Sequence, residues 1–378
     1  MNSFKHKLHV VAFDVPYPPN YGGVIDVFYR LKALHEAGVG IILHCFEYGR
    51  GQHSELDAYW EEVHYYRRSF SFLHFFRYRP FIVSSRASKD LLTALVARDF
   101  PIFFEGVHTT AFLSNPALSN RLRMVRLHNI EGAYYRSLSK SDSNWLKRFY
   151  FRHEARFLKN YEVLLPANVR YFAISESDCQ YFKHFYPHCE TLTPFHGFEL
   201  APYSTKTANC VVFQGNFTVA ENYRAALYLM REVFASSNLE VIFAGGGASR
   251  LQKAEKLSSE QFKFLDSPDD RTLWSLSQNA GVHVLFTHQA SGFKLKLLHA
   301  LFSGRPVIAN PLMVQGTDLE QLCIMASTAT DIRRAAEEAC ANGMSIMAYE
   351  ERAEILKSRF SNARNATAII DLLEPQPL

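Results

Sequence analysis

The sequence predicts an α/β protein made of two doubly wound, Rossmann-like parallel sheets, and three observations carry that prediction. Short apolar runs with the character of buried strands alternate with helical patterns from end to end, as in sheets whose parallel strands are joined by covering helices. At 378 residues the chain exceeds what one hydrophobic core usually serves, so two domains are expected. The rhythm breaks once, at TPFHGFELAPYSTKTANC (193–210), where two prolines, small-residue clusters and no clear period mark a linker.

In order, LHVVAFDV (8–15) is the first strand, PYPPNYGG (16–23) a turn-rich loop, residues 24–38 a helix ending at Gly38, and VGIILHCF (39–46) the second strand. This is a right-handed βαβ unit. Further strands are expected at PIFFEG (101–106), RMVRLH (123–128) and YFAIS (171–175). WLKRFYFRHEARFLKNYEVLL (145–165) reads as a long, basic helix whose many aromatics need a partner surface. YWEEVHYYRRSFSFLHFFRYRPF (59–81) interleaves arginines with aromatics. It reads either as a packed helix and loop with snorkelling arginines or as a contact with a lipid-linked glycan at an anionic membrane.

A second series follows the linker: strand 210–217, helix 222–235, strand 239–247, helix 251–257, strand 262–266, helix 270–280, strand 281–288, helix 293–304 and strand 305–311. Helices over 331–341 and 348–373 close the chain. The two series share a pattern but no alignable repeat. The expected organisation is an N-terminal domain (1–195), a linker (196–208), a C-terminal domain (209–350) and a final helical stretch (351–378) packing back on the N-terminal domain.

With 48% hydrophobic and 21% charged residues, the chain is neither disordered nor fibrous. His9 and Asp14 interrupt the first apolar run, so it is a strand and not a signal peptide, and no window approaches the roughly 20 apolar residues of a spanning helix. Six cysteines at 45, 179, 189, 210, 323 and 340 form no CxxC pair, the mark of reduced thiols in a cytoplasmic protein. Residues 1–200 hold 24 Lys or Arg against 19 Asp or Glu. This weak excess could direct the first half toward an anionic surface or substrate, but nucleic acid would demand a denser basic stripe.

In open parallel sheets, ligands sit beyond the carboxyl ends of the strands, and four such loops stand out. In PYPPNYGG, Gly22 and Gly23 either let the backbone approach a ligand at a helix start or simply make a tight turn. In FEGVHTT (104–110), Glu105 and His108 follow a strand, where His108 is a general base, a hydrogen-bond partner for a hydroxyl, or a plain surface histidine. In RLHNIEGAYY (126–135), His128, Asn129 and Glu131 follow another strand, and Asn129 is also placed to cap the next helix. The fourth, SGFKLKLLHALFSGRPVIAN (291–310), has Gly292 before a helix whose Phe293, Leu297, Leu298, Leu301 and Phe302 share one face. Its first-turn amides with Lys294 make a pyrophosphate cradle, while Lys296 points elsewhere and is only solubilising.

This last segment, with FQGNFTVAENYRAALYL (213–229) and LEVIFAGGG (239–247), resembles the donor-binding domain of GT-B glycosyltransferases, particularly glycosyltransferase family 4 (group 1). The order of pieces matches over nearly the whole chain. The resemblance implies GT-B architecture, with two Rossmann-like domains facing across a cleft, and transfer of a sugar from a nucleotide diphospho-sugar to a glycan or lipid-linked glycan acceptor in polysaccharide biosynthesis. It implies a donor site at Gly22, Gly23, Gly215, Asn216, Gly292, Phe293, Lys294 and His299, with His108 beside the reacting sugar, Glu105 in its loop, and His128, Asn129 and Glu131 in the cleft or acceptor site. Many members carry two glutamates eight positions apart in the donor helix; here those positions hold Ser291 and His299. No DxD-like pair stands in a strand-end loop, so neither metal nor cofactor is expected. The location expected is cytoplasmic, with peripheral contact at the inner face of a membrane. A sugar-nucleotide epimerase of the same fold and a non-catalytic nucleotide-sugar-binding or scaffold relative are the alternative readings.

Overall fold

The structure, a computed structural model, describes residues 4–70, 79–141, 144–255, 260–288 and 292–374. The chain divides into two compact units. One comprises Met1–Gly197, Ser291–Phe293 and Arg359–Leu378; the other comprises Phe198–Ala290 and Lys294–Ser358.

The first unit is built on a seven-stranded sheet: β1 (His6–Ala12), β2 (Val39–Glu47), β3 (Glu62–Arg67), β4 (Ile102–Glu105), β5 (Arg123–Leu127), β6 (Arg170–Ala173) and β7 (Cys189–Thr191). Their spatial order is β3-β2-β1-β4-β5-β6-β7, and every pairing is parallel. β4 and β5 are buried along their whole length, so Glu105 at the end of β4 and Arg123 and Arg126 in β5 are buried charges. The chain moves outward from β1 to β3 and then returns to the other side of β1 as β4. The loops after β1 and β4 therefore diverge, opening the crevice in which such sheets bind ligands.

The Gly22–Glu36 helix follows β1 and buries Val24, Val27, Phe28, Leu31 and Leu34, a stripe at helical spacing. It stops where Gly38 takes φ +87°. The same buried face also carries Asp26 and Arg30. The final Asn362–Leu373 helix belongs to this unit, and Ala366 and Ile369 join the core that contains Val27 and Leu31.

The second unit has a six-stranded sheet: β8 (Cys210–Gln214), β9 (Glu240–Gly245), β10 (Phe262–Asp266), β11 (Val282–Leu285), β12 (Val307–Ala309) and β13 (Ile324–Met325). The order β10-β9-β8-β11-β12-β13 places its switch point between β8 and β11, and all pairings are again parallel. The fold class is thus two parallel α/β sheets, as the alternating pattern predicts.

The structure corrects three local readings. In place of the helix and loop expected within 59–81, Glu62–Arg67 forms β3 at the sheet edge, hydrogen-bonded to β2; residues 71–78 of that stretch lie outside the described residues. The single closing helix is two, Ile346–Arg359 and Asn362–Leu373, because the Ser361 hydroxyl accepts from Arg364 N and starts a new helix. The short strands β7 and β13 escape the sequence pattern, since runs of three and two residues carry no period. No disulfide forms among the described residues, and none of their helices is long and apolar enough to cross a membrane.

Candidate active site

In the first unit, the carboxyl ends of β1, β4 and β5 gather a buried charged network. Asp26 receives two hydrogen bonds from Arg126, Nε at 3.0 Å and Nη2 at 2.9 Å, one from Arg30 at 3.3 Å and one from Phe195 N at 2.8 Å. Arg30 also pairs with Glu105 and stacks over Phe103 at 4.5 Å. Burial pushes the Asp26 carboxyl up, but Arg126 and Arg30 outweigh it and hold the group at about 2. Two carboxylates and two guanidiniums thus balance inside one wall, as buried charges require.

His128 stands on this wall, with Nε2 3.5 Å from Glu105 and Nδ1 3.9 Å from Asp26. Burial pushes its basicity down to about 3, the Asp26 carboxylate opposing and the two arginines adding to the fall. The His128 imidazole is therefore neutral. Phe13 lies between His128 and His108, with ring centroids 5.6 Å from each. His108 is half-buried and is likewise held well below the usual imidazole range, by burial first and then by Arg86. Its Nδ1 has no hydrogen-bond partner.

The structure brings His108, Glu105 and His128 together, but gives Glu105 a buried position in which its carboxylate faces Arg30 and His128 instead of solvent. Gly22 and Gly23 open the helix that delivers Asp26, and a Cβ at Gly23 would come 2.9 Å from Phe13 Cζ. Asn129 does not cap the next helix. The amides of Glu131 and Gly132 are instead bound by Glu162, at 2.8 and 3.2 Å. Asn129 Nδ2 reaches Glu131 at 3.4 Å, and burial with the nearby Glu162 raises the Glu131 carboxyl to about 8.

In the second unit, the carboxyl end of β8 supplies Gln214, Gly215 and Asn216. Asn216 O accepts from Asn222 Nδ2 at 3.0 Å, and Asn222 Oδ1 accepts from Lys296 Nζ at 2.9 Å. Lys296 is therefore no solubilising side chain. It lies part-buried with its ammonium 5.3 Å from the Phe213 ring centroid, in the Leu295–Phe302 helix, where its carbonyl accepts from Gln214 Nε2 at 3.2 Å. Burial lowers Lys296 to about 8, with the neighbouring Lys294 adding to the fall. Lys294, directly before the helix, is lowered by burial to about 8 as well, Glu221 opposing. Two adjacent cations are thus kept out of water beside a single carboxylate, which itself accepts from Thr287 Oγ1 and His288 N.

Gly292 holds φ +70°, the backbone bend that precedes the lysines, and Phe293 packs near Phe360 at 6.0 Å between centroids. His299 is buried, its ring edge-on to Trp274 at 5.2 Å and Phe198 at 5.1 Å, and burial lowers it to about 4. Ser291 lies outside the described residues. Among the described residues no three His, Cys, Asp or Glu side chains gather to hold a metal ion.

Residues 208–342, which cover this second sheet from β8 to β13, match the family of glycosyl transferases group 1. The chain carries a group 1 glycosyltransferase domain. The chain is similar over 84% of its length, at 23% identity, to an uncharacterized 44.6 kDa protein in the cps region of Klebsiella pneumoniae, 87% of which is covered. Among solved structures, its fold is like that of WaaG, a glycosyltransferase involved in lipopolysaccharide biosynthesis, at TM-score 0.64 and 14% identity, covering 98% of this chain and 100% of that one. It is also like Anabaena HepE in complex with UDP and glucose, at TM-score 0.62 and 12% identity, covering 97% and 99%. The likeness extends over both units, and the fold is that of GT-B glycosyltransferases.

Sequence reasoning missed Asp26, Arg30, Arg126 and Lys296. The first two had a visible signal, since an Asp and an Arg four apart interrupt the apolar stripe of one helix. Arg126 likewise stands in mid-strand in β5, between Val125 and Leu127.

Proposed function

We propose that the glycosyltransferase moves a sugar from a nucleotide diphospho-sugar, held by the second unit, to a glycan or lipid-linked glycan acceptor held by the first, without a metal. The observation that carries this reading is the pair Lys294 and Lys296, two partly desolvated cations at the start of one helix beside the carboxyl end of β8. As the bond from the anomeric carbon to the diphosphate oxygen breaks, negative charge grows on the leaving group, and ammonium groups held out of water stabilise that charge strongly. The acceptor oxygen forms the new bond to the anomeric carbon and passes its proton to the departing diphosphate, whose oxygen has taken the electron pair of the broken bond.

Gly215, Asn216, Gly292 and Phe293 supply backbone at the donor site, and His299, neutral beside Trp274, offers a hydrogen bond to the ribose. His108 is too weakly basic to store a proton, so its role is to hydrogen-bond a sugar hydroxyl. Glu105 is a positioning residue that acts through Arg30 and His128; Asn129 and Glu131 border the acceptor side, and Gly22 and Gly23 set the helix that carries Asp26. Two names support a place in polysaccharide assembly, the cps region of the Klebsiella relative and the lipopolysaccharide biosynthesis of WaaG.

Thermal-shift screening against nucleoside diphosphates and their sugars tests the donor class, because a ligand that binds the native state raises the melting temperature by mass action. Lys294→Ala is expected to abolish turnover while leaving the fold intact, and near-normal turnover at saturating donor would remove the diphosphate role. His299, an imidazole where many relatives carry a carboxylate, favours a second reading, a relative that binds nucleotide without transfer. Donor binding with no product from any acceptor would support that reading.

A further inference from the structure

Two arginines of the first unit, Arg68 and Arg86, form no ion pair among the described residues. Arg86 is 5% exposed, and its guanidinium is spent on main-chain carbonyls, Nε donating to Phe13 O at 3.1 Å and Nη1 to Ile82 O at 2.8 Å. Arg68, directly after β3, donates from Nε and Nη2 to Ser85 Oγ at 3.3 and 3.1 Å, and Ser85 Oγ donates in turn to Ile82 O at 3.3 Å. The two guanidiniums thus converge on one hydroxyl and one carbonyl. Burial lowers Arg86 to about 9, and Arg68 is the next cause of the fall. The carboxylates whose charge reaches the pair are engaged elsewhere: Asp14 accepts from Val15 N and Tyr21 Oη, Glu154 accepts from Ile82 N, and burial raises both carboxyls. Arg123, Arg305 and Arg352 are also buried on carbonyls, but no second cation bears on them.

Arg86 Nη2 and Arg68 Nη1 make no hydrogen bond among the described residues, and neither does the buried Nδ1 of His108, on which both arginines act. The His108 ring lies 5.6 Å from that of Phe13. Arg68 also stands over Tyr48 at 4.5 Å and Phe70 at 5.3 Å, rings that are 57% and 63% exposed. Phe13, Tyr48, Arg68 and His108 follow β1, β2, β3 and β4 in turn, so the cluster sits on the carboxyl edge of the sheet, where ligands bind.

We infer that this cluster is a subsite for an acidic sugar, in which Arg68 and Arg86 receive a carboxylate or phosphate of the acceptor saccharide while Tyr48 and Phe70 take the apolar face of its ring. The inference rests on the first unit being the acceptor side, and it adds the charge of the acceptor. A guanidinium offers paired N–H donors that match the oxygens of a carboxylate or phosphate. Exposed aromatic rings beside that fork suit a sugar, apolar on one face and hydroxylated at its rim. The anion supplies the counter-charge that two adjacent cations lack, and a neutral sugar would leave them unpaired.

The test is calorimetric titration of the full chain with methyl glucuronide, glucose 6-phosphate and methyl glucoside. The acidic sugars are expected to bind at least about tenfold more tightly than the neutral glucoside, with a preference that shrinks as salt is added. Because Arg86 also braces Phe13 and Ile82, the deciding variant is Arg68→Gln, which keeps the parent melting temperature and loses about tenfold in affinity for the acidic sugars only. Binding of either acidic sugar in this pattern supports the inference, and the tighter of the two tells carboxylate from phosphate. Equal affinity for all three sugars, no binding of either acidic one, or parent-like binding by Arg68→Gln overturns it. So does loss of acidic-sugar binding in Lys294→Ala, which would assign the anion to the donor lysines. Failure of every nucleotide to shift the melting temperature, with acidic sugars still bound through Arg68, would instead remove the transfer reading and leave the subsite standing.

Discussion

Arg126 on β5 and Asp26 on the first helix, a hundred positions apart in the chain, meet in a two-pronged ion pair from which both side chains are wholly shielded, at 0% exposure each. Guanidinium and carboxylate are matched in shape as well as charge. Asp26 also receives the amide of Phe195, so one carboxylate fixes the first helix, the fifth strand and the start of the connecting segment.

Replacing Asp26 with Asn leaves Arg126 buried without a counter-charge and Arg30 with Glu105 alone. The expected cost is about 3–5 kcal/mol, read as a lower urea midpoint for the first unit with the second unit's transition unchanged.

Glu131 gives a pH-dependent prediction. Its folded carboxyl is raised to about 8 from an ordinary 4.5, so the folded state holds the proton more tightly than the unfolded state does. Its contribution to stability is therefore full below about 4.5 and lost as pH rises toward 8. Glu131→Gln cannot ionise. It is expected to gain on the parent protein across that window, by more than about 1.4 kcal/mol at the upper end, the value of a single pKa unit. Melting temperatures of the two proteins at pH 5 and pH 8.5 check this; a constant difference would refute it.

At the proposed donor site, Lys294 and Lys296 lie at about 8 in the free protein, and a bound diphosphate would restore the charged form. Affinity for a nucleoside diphosphate is then steady below pH 7 and falls as pH rises through 8, with proton uptake on binding at pH 8.5. Calorimetry in buffers of different ionisation enthalpy measures that uptake. Lys296→Met is expected to remove part of it and to weaken binding by roughly tenfold, the loss of one charge-assisted hydrogen bond.

Gly245 has a backbone reason to be glycine. It sits at φ +136°, and a Cβ there would lie 2.1 Å from Gly215 O, where the ends of β8 and β9 meet. Gly245→Ala is expected to destabilise the second unit by at least about 3 kcal/mol. Gly49→Ala, at φ +80° with nothing within 4 Å, is expected to cost only about 1 kcal/mol. Equal denaturation midpoints for the two variants would show that the close approach is not the cause.

Most of the architecture was legible because burial on both faces of a parallel sheet forces continuous apolar runs, which stand out against helical periodicity. β1, β2, β4, β5 and β6 and all the second-unit strands but β13 overlap runs read from the sequence. The edge strand β3, with one side of its backbone unpaired, keeps charged and aromatic residues and so resembled a helix and loop. The break at Ser361 was hidden inside an otherwise helical stretch.

The chain by itself determined the fold class, the strand-end loops and the lysine-bearing segment before the Leu295–Phe302 helix, since each follows from local spacing and from the backbone freedom of a few glycines. Only the tertiary structure decided that Asp26 neutralises Arg126, that Glu105 faces Arg30 and His128, that Lys296 turns inward to Asn222, and that Trp145 is exposed. Pairing between distant residues, and the choice between burying and exposing a side chain, depend on what the fold brings beside it, and no local pattern contains that information.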